Sequence, residues 1–261
     1  MHLPSVNVLY VLSGFLVGLL VGQTGVGGGA LMTPILVLLF GIHPAAAVGT
    51  DLLYASITKT VGTAVHGANH TVEWPIVARL AGGSVPATAL TLFVISHFDL
   101  SSAAASHVIT TVLGVMLLLT SLALLFRHRL LAMGVNRVSK YSPRSTVALT
   151  VLTGAVLGLL VTISSVGAGA IGVTVLLLLY PGLPMARIVG SDIAHAVPLT
   201  LVAGIGHWVL GSVNPDMLVS LLIGSIPGIV LGSVLASRVP EWVLRPLLAV
   251  TLAVVGGTLV F

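Results

Sequence analysis

The sequence predicts an all-α polytopic membrane protein. It reads as two inverted-topology repeats, each a glycine-broken first segment plus three spanning helices, about 8 membrane segments in all. Three observations predict this. Hydrophobic residues fill 57% of the 261 positions and charged residues 6%. Several apolar runs exceed the roughly 18 residues needed for a spanning helix, and they are continuous where a barrel strand would alternate. Finally, the second half of the chain repeats the first. A β-barrel and a soluble enzyme core are excluded by the same runs.

Taken in order, the chain opens with Met1-His2-Leu3-Pro4, which has no Lys or Arg ahead of the first apolar run and no small-residue cleavage site. It is expected to be an uncleaved first segment. The run Val6–Phe40 is interrupted by Gly22-Gln23-Thr24-Gly25-Val26-Gly27-Gly28-Gly29. Its total length is too great for one span and barely enough for two. Two short helices, Val6–Val21 and Ala30–Phe40, are predicted, with their junction inside the membrane. Non-helical backbone survives at that depth only where protein or a watery cavity satisfies it. The simpler alternative is a loop between two short spans at the surface. Further apolar segments follow at Pro44–Val65, Pro75–Ser96 and Ala103–Phe126, and then comes a basic link. The order then recurs: Thr146–Ile163, Ala170–Tyr180, Pro184–Leu210, Pro215–Ala236 and Val243–Phe261. The expected division is residues 1–126 for the first repeat, 127–145 for the link and 146–261 for the second repeat.

The duplication is read from register. Moving Gly14, Gly18, Gly27, Gly29, Ala30 and Pro44 forward by 140 lands on Gly154, Gly158, Gly167, Gly169, Ala170 and Pro184. After one inserted residue, Gly49, Asp51 and His66 land on Gly190, Asp192 and His207, and Gly83-Ser84-Val85-Pro86 lands on Gly224-Ser225-Ile226-Pro227. Basic residues then orient the chain. If each broken segment enters and leaves on one side, nine of the ten Lys and Arg are cytoplasmic and none is in an outer loop. Both termini are then expected to be periplasmic, with the halves inverted, as in many secondary transporters. Trp74, Trp208 and Trp242 fall at segment ends, as interfacial anchors do. Gly14 with Gly18, Gly154 with Gly158, and Gly224 with Gly228 and Gly232 form small-residue faces for close helix packing.

The chain holds no cysteine, which excludes disulfides, thiolate metal sites and thiol catalysis. The net charge of +4 is no nucleic-acid footprint, since its bases cluster where topology puts them. No ATP-binding loop and no metal-ligand spacing are visible, so neither cofactor nor metal is expected. Asp51, Lys59 and Asp192 are the charges inside apolar spans, and such residues carry function by default. At about 1.5 Å per residue, Lys59 and Asp192 reach similar depth, with Asp51 alone nearer the outer side. The expectation is a Lys59–Asp192 ion pair between repeats, with Asp51 and Asp192 as polar gates. The alternative is that both aspartates bond locally to backbone N–H groups. His195, one turn after Asp192, is a candidate proton-relay partner. Half-helices starting near Ala30 and Ala170 would aim their N-termini at the membrane centre and suit an anion. The candidate substrate groups are Gln23, Thr24, Gly27, Gly28, Gly29, Lys59, Ser164, Ser165, Gly167 and Gly169. The candidate coupling groups are Asp51, Asp192 and His195.

On Gly25-Val26-Gly27-Gly28-Gly29-Ala30-Leu31 with Pro34, Pro44-Ala45-Ala46-Ala47-Val48-Gly49-Thr50, and their echoes Gly167-Ala168-Gly169 and Val189-Gly190-Ser191, the chain resembles the TauE/SafE sulfite exporter family. The resemblance covers nearly the whole chain. It implies a bacterial inner-membrane transporter for a small sulfur-containing anion such as sulfite, thiosulfate or an organosulfonate. It leaves the particular anion, the direction of transport and the oligomeric state open. One departure is that the second half reads Gly-Ala-Gly where the first reads Gly-Gly-Gly. Two rival readings stand beside an alternating-access transporter. One is a passive anion channel on the same scaffold. The other is an intramembrane hydrolase using Ser164 or Ser165 with His195, which needs a nucleophile–base hydrogen bond.

Overall fold

Long apolar runs with Pro at their first positions and Gly or polar residues between them fold as helices. The computed structural model describes residues 6–24, 29–138, 142–235 and 241–261. Among these the order is α1 (Val8–Thr24), α2 (Gly29–Leu38), α3 (Pro44–Ala68), α4 (Trp74–Ile95), α5 (Ala103–Val138), α6 (Pro143–Ser164), α7 (Ala170–Leu179), α8 (Met185–Val209), α9 (Pro215–Leu235) and α10 (Glu241–Val260), with no strand. Among the described residues five helical stretches are long and apolar enough to cross a bilayer: Trp74–Ile95, Ala103–Phe126, Pro143–Ser164, Met185–Val209 and Pro215–Gly232. Shorter apolar helices accompany them, so the chain is a multi-pass membrane protein.

The boundaries differ from expectation in two places. In the second broken segment, expected as Thr146–Ile163 and Ala170–Tyr180 and either re-entrant or two short spans, the first piece is longer than expected. Ser142 accepts a hydrogen bond from Ser145 N and Pro143 occupies the first turn, so α6 starts early and runs 22 residues. At about 33 Å it is long enough to span alone, while α7, with 10 residues, covers about half that. The basic link is the second place. Helix α5 continues through it to Val138, so most of residues 127–145 is helix.

Helix packing is reciprocal between the halves. Helix α1 lies along α9, and α6, the counterpart of α1, lies along α4, the counterpart of α9. Both contacts use the glycine faces read from the sequence. Gly14 and Gly18 press on the backbone of Leu221 and Ser225, and Gly154 and Gly158 press on that of Leu80 and Ser84. A Cβ at any of these positions would collide with backbone. Helix α5 pairs with α10, where Gly114 and Gly256 face each other. At the centre α3 crosses α8, with Gly49 against Ser212 and Gly190 against Thr71. Trp74 and Trp208 are exposed at helix ends, as the anchoring reading requires.

Candidate functional site

The central pair α3 and α8 is the most polar part of the interior, and each helix brings the same local motif. Thr50 Oγ1 accepts from Asn214 N at 3.1 Å, and Ser191 Oγ accepts from Glu73 N at 2.8 Å. Each hydroxyl thus holds a turn belonging to the other half of the chain. The next residue in each helix, Asp51 or Asp192, is fully buried.

From there the halves diverge. Asp51 Oδ2 accepts hydrogen bonds from Thr33 Oγ1 at 2.5 Å and from Ser165 Oγ at 2.9 Å, while Oδ1 has no partner. Ser165 caps α6 in the left-handed conformation, and two glycines with φ of 122° (Gly167) and 136° (Gly169) carry the chain on to α7. Asp192 gains no hydroxyl. Its Oδ1 is unpartnered and lies against Gly172, where a Cβ would collide with it. The register explains the difference, since Thr33 corresponds to Val173 and Met32 to Gly172. The two aspartates therefore do not share one environment, and neither is satisfied at both oxygens. Asp51 meets the Thr33 backbone as well as the Thr33 and Ser165 hydroxyls, so its partners lie on α2 and at the end of α6 and not in the first turns of α3.

Lys59 is 8% exposed, and its Nζ donates to Ala168 O at 3.4 Å, on the junction between α6 and α7. The expected Lys59–Asp192 ion pair is not made. Among the described residues the ion pair is Arg187 with Glu73, at 2.6 Å. Lys59 meets the α6–α7 break instead, because a carbonyl freed by non-helical backbone is an open acceptor. His195 Nε2 shares a hydrogen bond with Ser84 Oγ at 2.9 Å, and its Nδ1 is unpartnered. Ser164 donates to Leu160 O at 2.8 Å and to Val166 O at 3.3 Å. The Ser–His hydrogen bond of the hydrolase reading is thus absent at Ser164 and Ser165, whose hydroxyls are turned elsewhere. His207 donates through Nε2 to Thr162 O at 2.9 Å, whereas His66 pairs with the Thr71 hydroxyl at 2.8 Å.

Of the first-half candidates, Gly29 begins α2, and Gln23 and Thr24 end α1. The side chains of Gln23 and Thr24, together with Gly27 and Gly28, lie outside the described residues. Sequence reading missed Thr33 and Ser84. Ser84 sat in the repeated Gly-Ser-Val-Pro motif and was the more findable of the two.

At one end of the α3–α8 pair lies a cavity of about 450 Å³, lined by His43, Ala46, Asp99 and Ser212 among others. Asp99 lies on the exposed α4–α5 turn, where the hydroxyl and then the N–H of Ser101 hold its carboxyl below its usual value. The rim of the cavity is therefore negatively charged near neutral pH.

The family comparison decides the identity of this arrangement. The sequence pattern described as sulfite exporter TauE/SafE matches residues 10–259. The chain belongs to the TauE/SafE sulfite exporter family. It is a family of membrane transporters. The probable membrane transporter protein YjnA of Bacillus subtilis is 38% identical over 255 residues, covering 97% of this chain and all of the relative. The probable membrane transporter protein YdhB of the same organism is 27% identical over 97% of this chain and all of its own length. The archaeal probable membrane transporter protein MJ0441 of Methanocaldococcus jannaschii is 25% identical over 76% of this chain and 70% of its own. No solved structure matches the chain.

Proposed function

We propose that this TauE/SafE protein is a secondary transporter that carries a small sulfur-containing oxyanion across the bacterial inner membrane by alternating access. Sulfite, thiosulfate and organosulfonates are the candidate substrates. The moving parts are two inverted halves, residues 1–126 and 146–261, joined by the basic stretch 127–145 on the cytoplasmic side, with both termini periplasmic. The reciprocal packing of α1 on α9 and α6 on α4 supports two equivalent halves related by exchange. Fixed sites between rocking repeats are how such folds alternate.

The observation that carries the reading is Lys59. Its ammonium has a carbonyl at 3.4 Å as its direct contact, while Asp192 and Asp51 act on it only at longer range, so a negative ligand in direct contact would complete it. It stands beside the start of α7, where the N–H groups of Gly172 and Val173 bond Gly167 O and Gly169 O, so the N–H groups of Ala170 and Ile171 and the positive dipole end are what favour an anion. The anion is taken between Lys59 and the glycine junctions, with Gly167 and Gly169 on one side and Gln23, Thr24, Gly27, Gly28 and Gly29 on the other. Ser164 and Ser165 shape the second junction. Asp51, Asp192 and His195 serve coupling and gating.

Lys59→Met tests this. In proteoliposomes offered sulfite, sulfate, thiosulfate and sulfonates in turn, the parent moves at least one anion and Lys59→Met moves none, while its folding is preserved. Parental affinity in Lys59→Met removes the anion reading. Substrate accumulation that collapses with the ion gradient identifies a coupled transporter, and purely downhill flux identifies a channel.

A further inference from the structure

We propose that Asp51, Thr33 and Ser165 form a binding site for a monovalent alkali cation, with Na⁺ as the natural occupant. In the transport reading, on which this role rests, that cation is the coupling ion. The cation-binding claim itself does not depend on which anion is carried.

Three observations converge on it. The first is the donor set. A buried carboxylate on α3 has two hydroxyl oxygens, from α2 and the cap of α6, each within hydrogen-bond distance of its Oδ2. They are hard oxygen ligands, the kind that alkali and alkaline-earth ions take and thiophilic metals do not. Among the described residues no group of three or more His, Cys, Asp or Glu is present to hold a more highly charged metal. A single carboxylate balances a single positive charge.

The second observation is that Asp51 is incomplete. Oδ1 is fully buried with no partner. A proton repairs this only in part. Placed on Oδ1 it is a buried donor without an acceptor, and on Oδ2 it can be donated to the Thr33 or Ser165 oxygen but leaves Oδ1 bare. A cation beside Oδ1 satisfies it, and Thr33 and Ser165 need only rotate their O–H bonds outward to offer lone pairs. The carboxylate also lies beside Ser165, the C-terminal cap of α6. A helix C-terminus is the negative end of the dipole, which repels a carboxylate and attracts a cation.

The third observation is charge balance. The charged groups acting on one another in this centre are Asp51, Asp192 and Lys59. With both acids ionised, two negative charges face one positive charge, a net of −1. An oxyanion entering that centre alone meets repulsion, and a co-bound monovalent cation removes it. The device is built once. Val173 stands where Thr33 would recur, so Asp192 has no equivalent hydroxyl from α7.

The test uses the purified full chain in lipid nanodiscs with no oxyanion present. The unfolding midpoint is followed as choline chloride is replaced by NaCl at constant ionic strength. The midpoint should rise saturably with Na⁺, and the rise should vanish in Asp51→Asn. Thr33→Val and Ser165→Ala should each raise the half-saturating Na⁺ concentration roughly tenfold. Asp192→Asn takes one negative charge from the centre, so it should raise the half-saturating Na⁺ concentration without abolishing the response. A midpoint that follows pH but ignores Na⁺, Li⁺ and K⁺ makes Asp51 a proton site and overturns the proposal, as does a full response in Asp51→Asn or its loss in Asp192→Asn. If Asp51→Asn does not fold, unchanged half-saturation in Thr33→Val and Ser165→Ala overturns it equally. Absent oxyanion flux with an intact Na⁺ response counts against the transport reading alone. Intact flux with a cation-indifferent midpoint counts against this inference alone.

Discussion

At the scale of single residues, register-matched positions turn out to have different chemistry. Asp51 and Asp192 were legible in the sequence because a charge inside an apolar run stands out against its neighbours. Their partners were not. Thr33 lies in a short apolar helix, where a threonine more often bonds its own backbone carbonyl, as Thr174 does to Ala170 O. Only the fold shows that Thr33 instead reaches a carboxylate 18 residues away in sequence. His195 was legible as a titratable neighbour of Asp192, but its partner Ser84 comes from α4, and sequence spacing carries no information about that contact. Asp192 has an unpartnered oxygen and His195 an unpartnered Nδ1, and in the proposed transport cycle these two are the proton-exchanging groups. Asp192→Asn should therefore flatten the pH profile of anion flux. Ser84→Ala should instead shift the profile by changing what His195 Nε2 meets, leaving its amplitude largely intact. Flux measured from pH 5 to 8 checks both, and a parental profile in Asp192→Asn removes proton exchange from that residue.

At the scale of elements, glycine decides which helices touch. The small-residue faces on α1, α6 and α9 were read correctly from spacing alone, because only residues without side chains let two helix backbones meet. What spacing leaves undecided is which partner each face takes. Gly82 and Gly83 on α4 make the point. A Cβ at Gly83 would strike the Val151 carbonyl on α6, whereas nothing lies within 4 Å of one at Gly82. Gly83→Ala should lower the unfolding midpoint in detergent by the equivalent of about 1–3 kcal/mol, the usual cost of overpacking. Gly82→Ala should be neutral or stabilising by up to about 1 kcal/mol, since alanine is the better helix former. Equal behaviour of the two variants would mean that α4 and α6 do not pack as described. Helix α6 is longer than its apolar run, which begins only at Thr146. The cap at Ser142 and the proline at Pro143 add nearly a full turn before it.

At the scale of the whole molecule, the two ends of the α3–α8 pair are closed to different degrees. At one end Arg187 binds Glu73 at 2.6 Å, and the Glu73 N–H donates to Ser191, which ties the α3–α4 turn to α8. Counted back from the shared Gly-Thr/Ser-Asp motif, Arg187 corresponds to Ala46 and Glu73 to Asn214. No ion pair can form there, and Ala46 lines the cavity of about 450 Å³. The repeats thus share a frame but carry different latches, a difference visible only once the duplicated sequences are laid over each other and the turns are seen to touch. An exposed pair of this kind contributes about 0–1 kcal/mol, too little to hold the fold yet enough to bias two nearly balanced states about fivefold. The chain lacks cysteine, so single cysteines report this bias directly. Ser191 is fully buried beneath the latch, while Ser212, 8% exposed, lines the cavity at the other end. A hydrophilic maleimide should therefore label Ser212→Cys at least several-fold faster than Ser191→Cys. Adding Arg187→Gln, or working near 1 M salt where screening is almost complete, should speed labelling of Ser191→Cys about fivefold and leave Ser212→Cys unchanged or slower. That opposite response is what alternation between two ends requires. If Arg187→Gln speeds both sites together, the latch merely stiffens the protein and does not set which end is open.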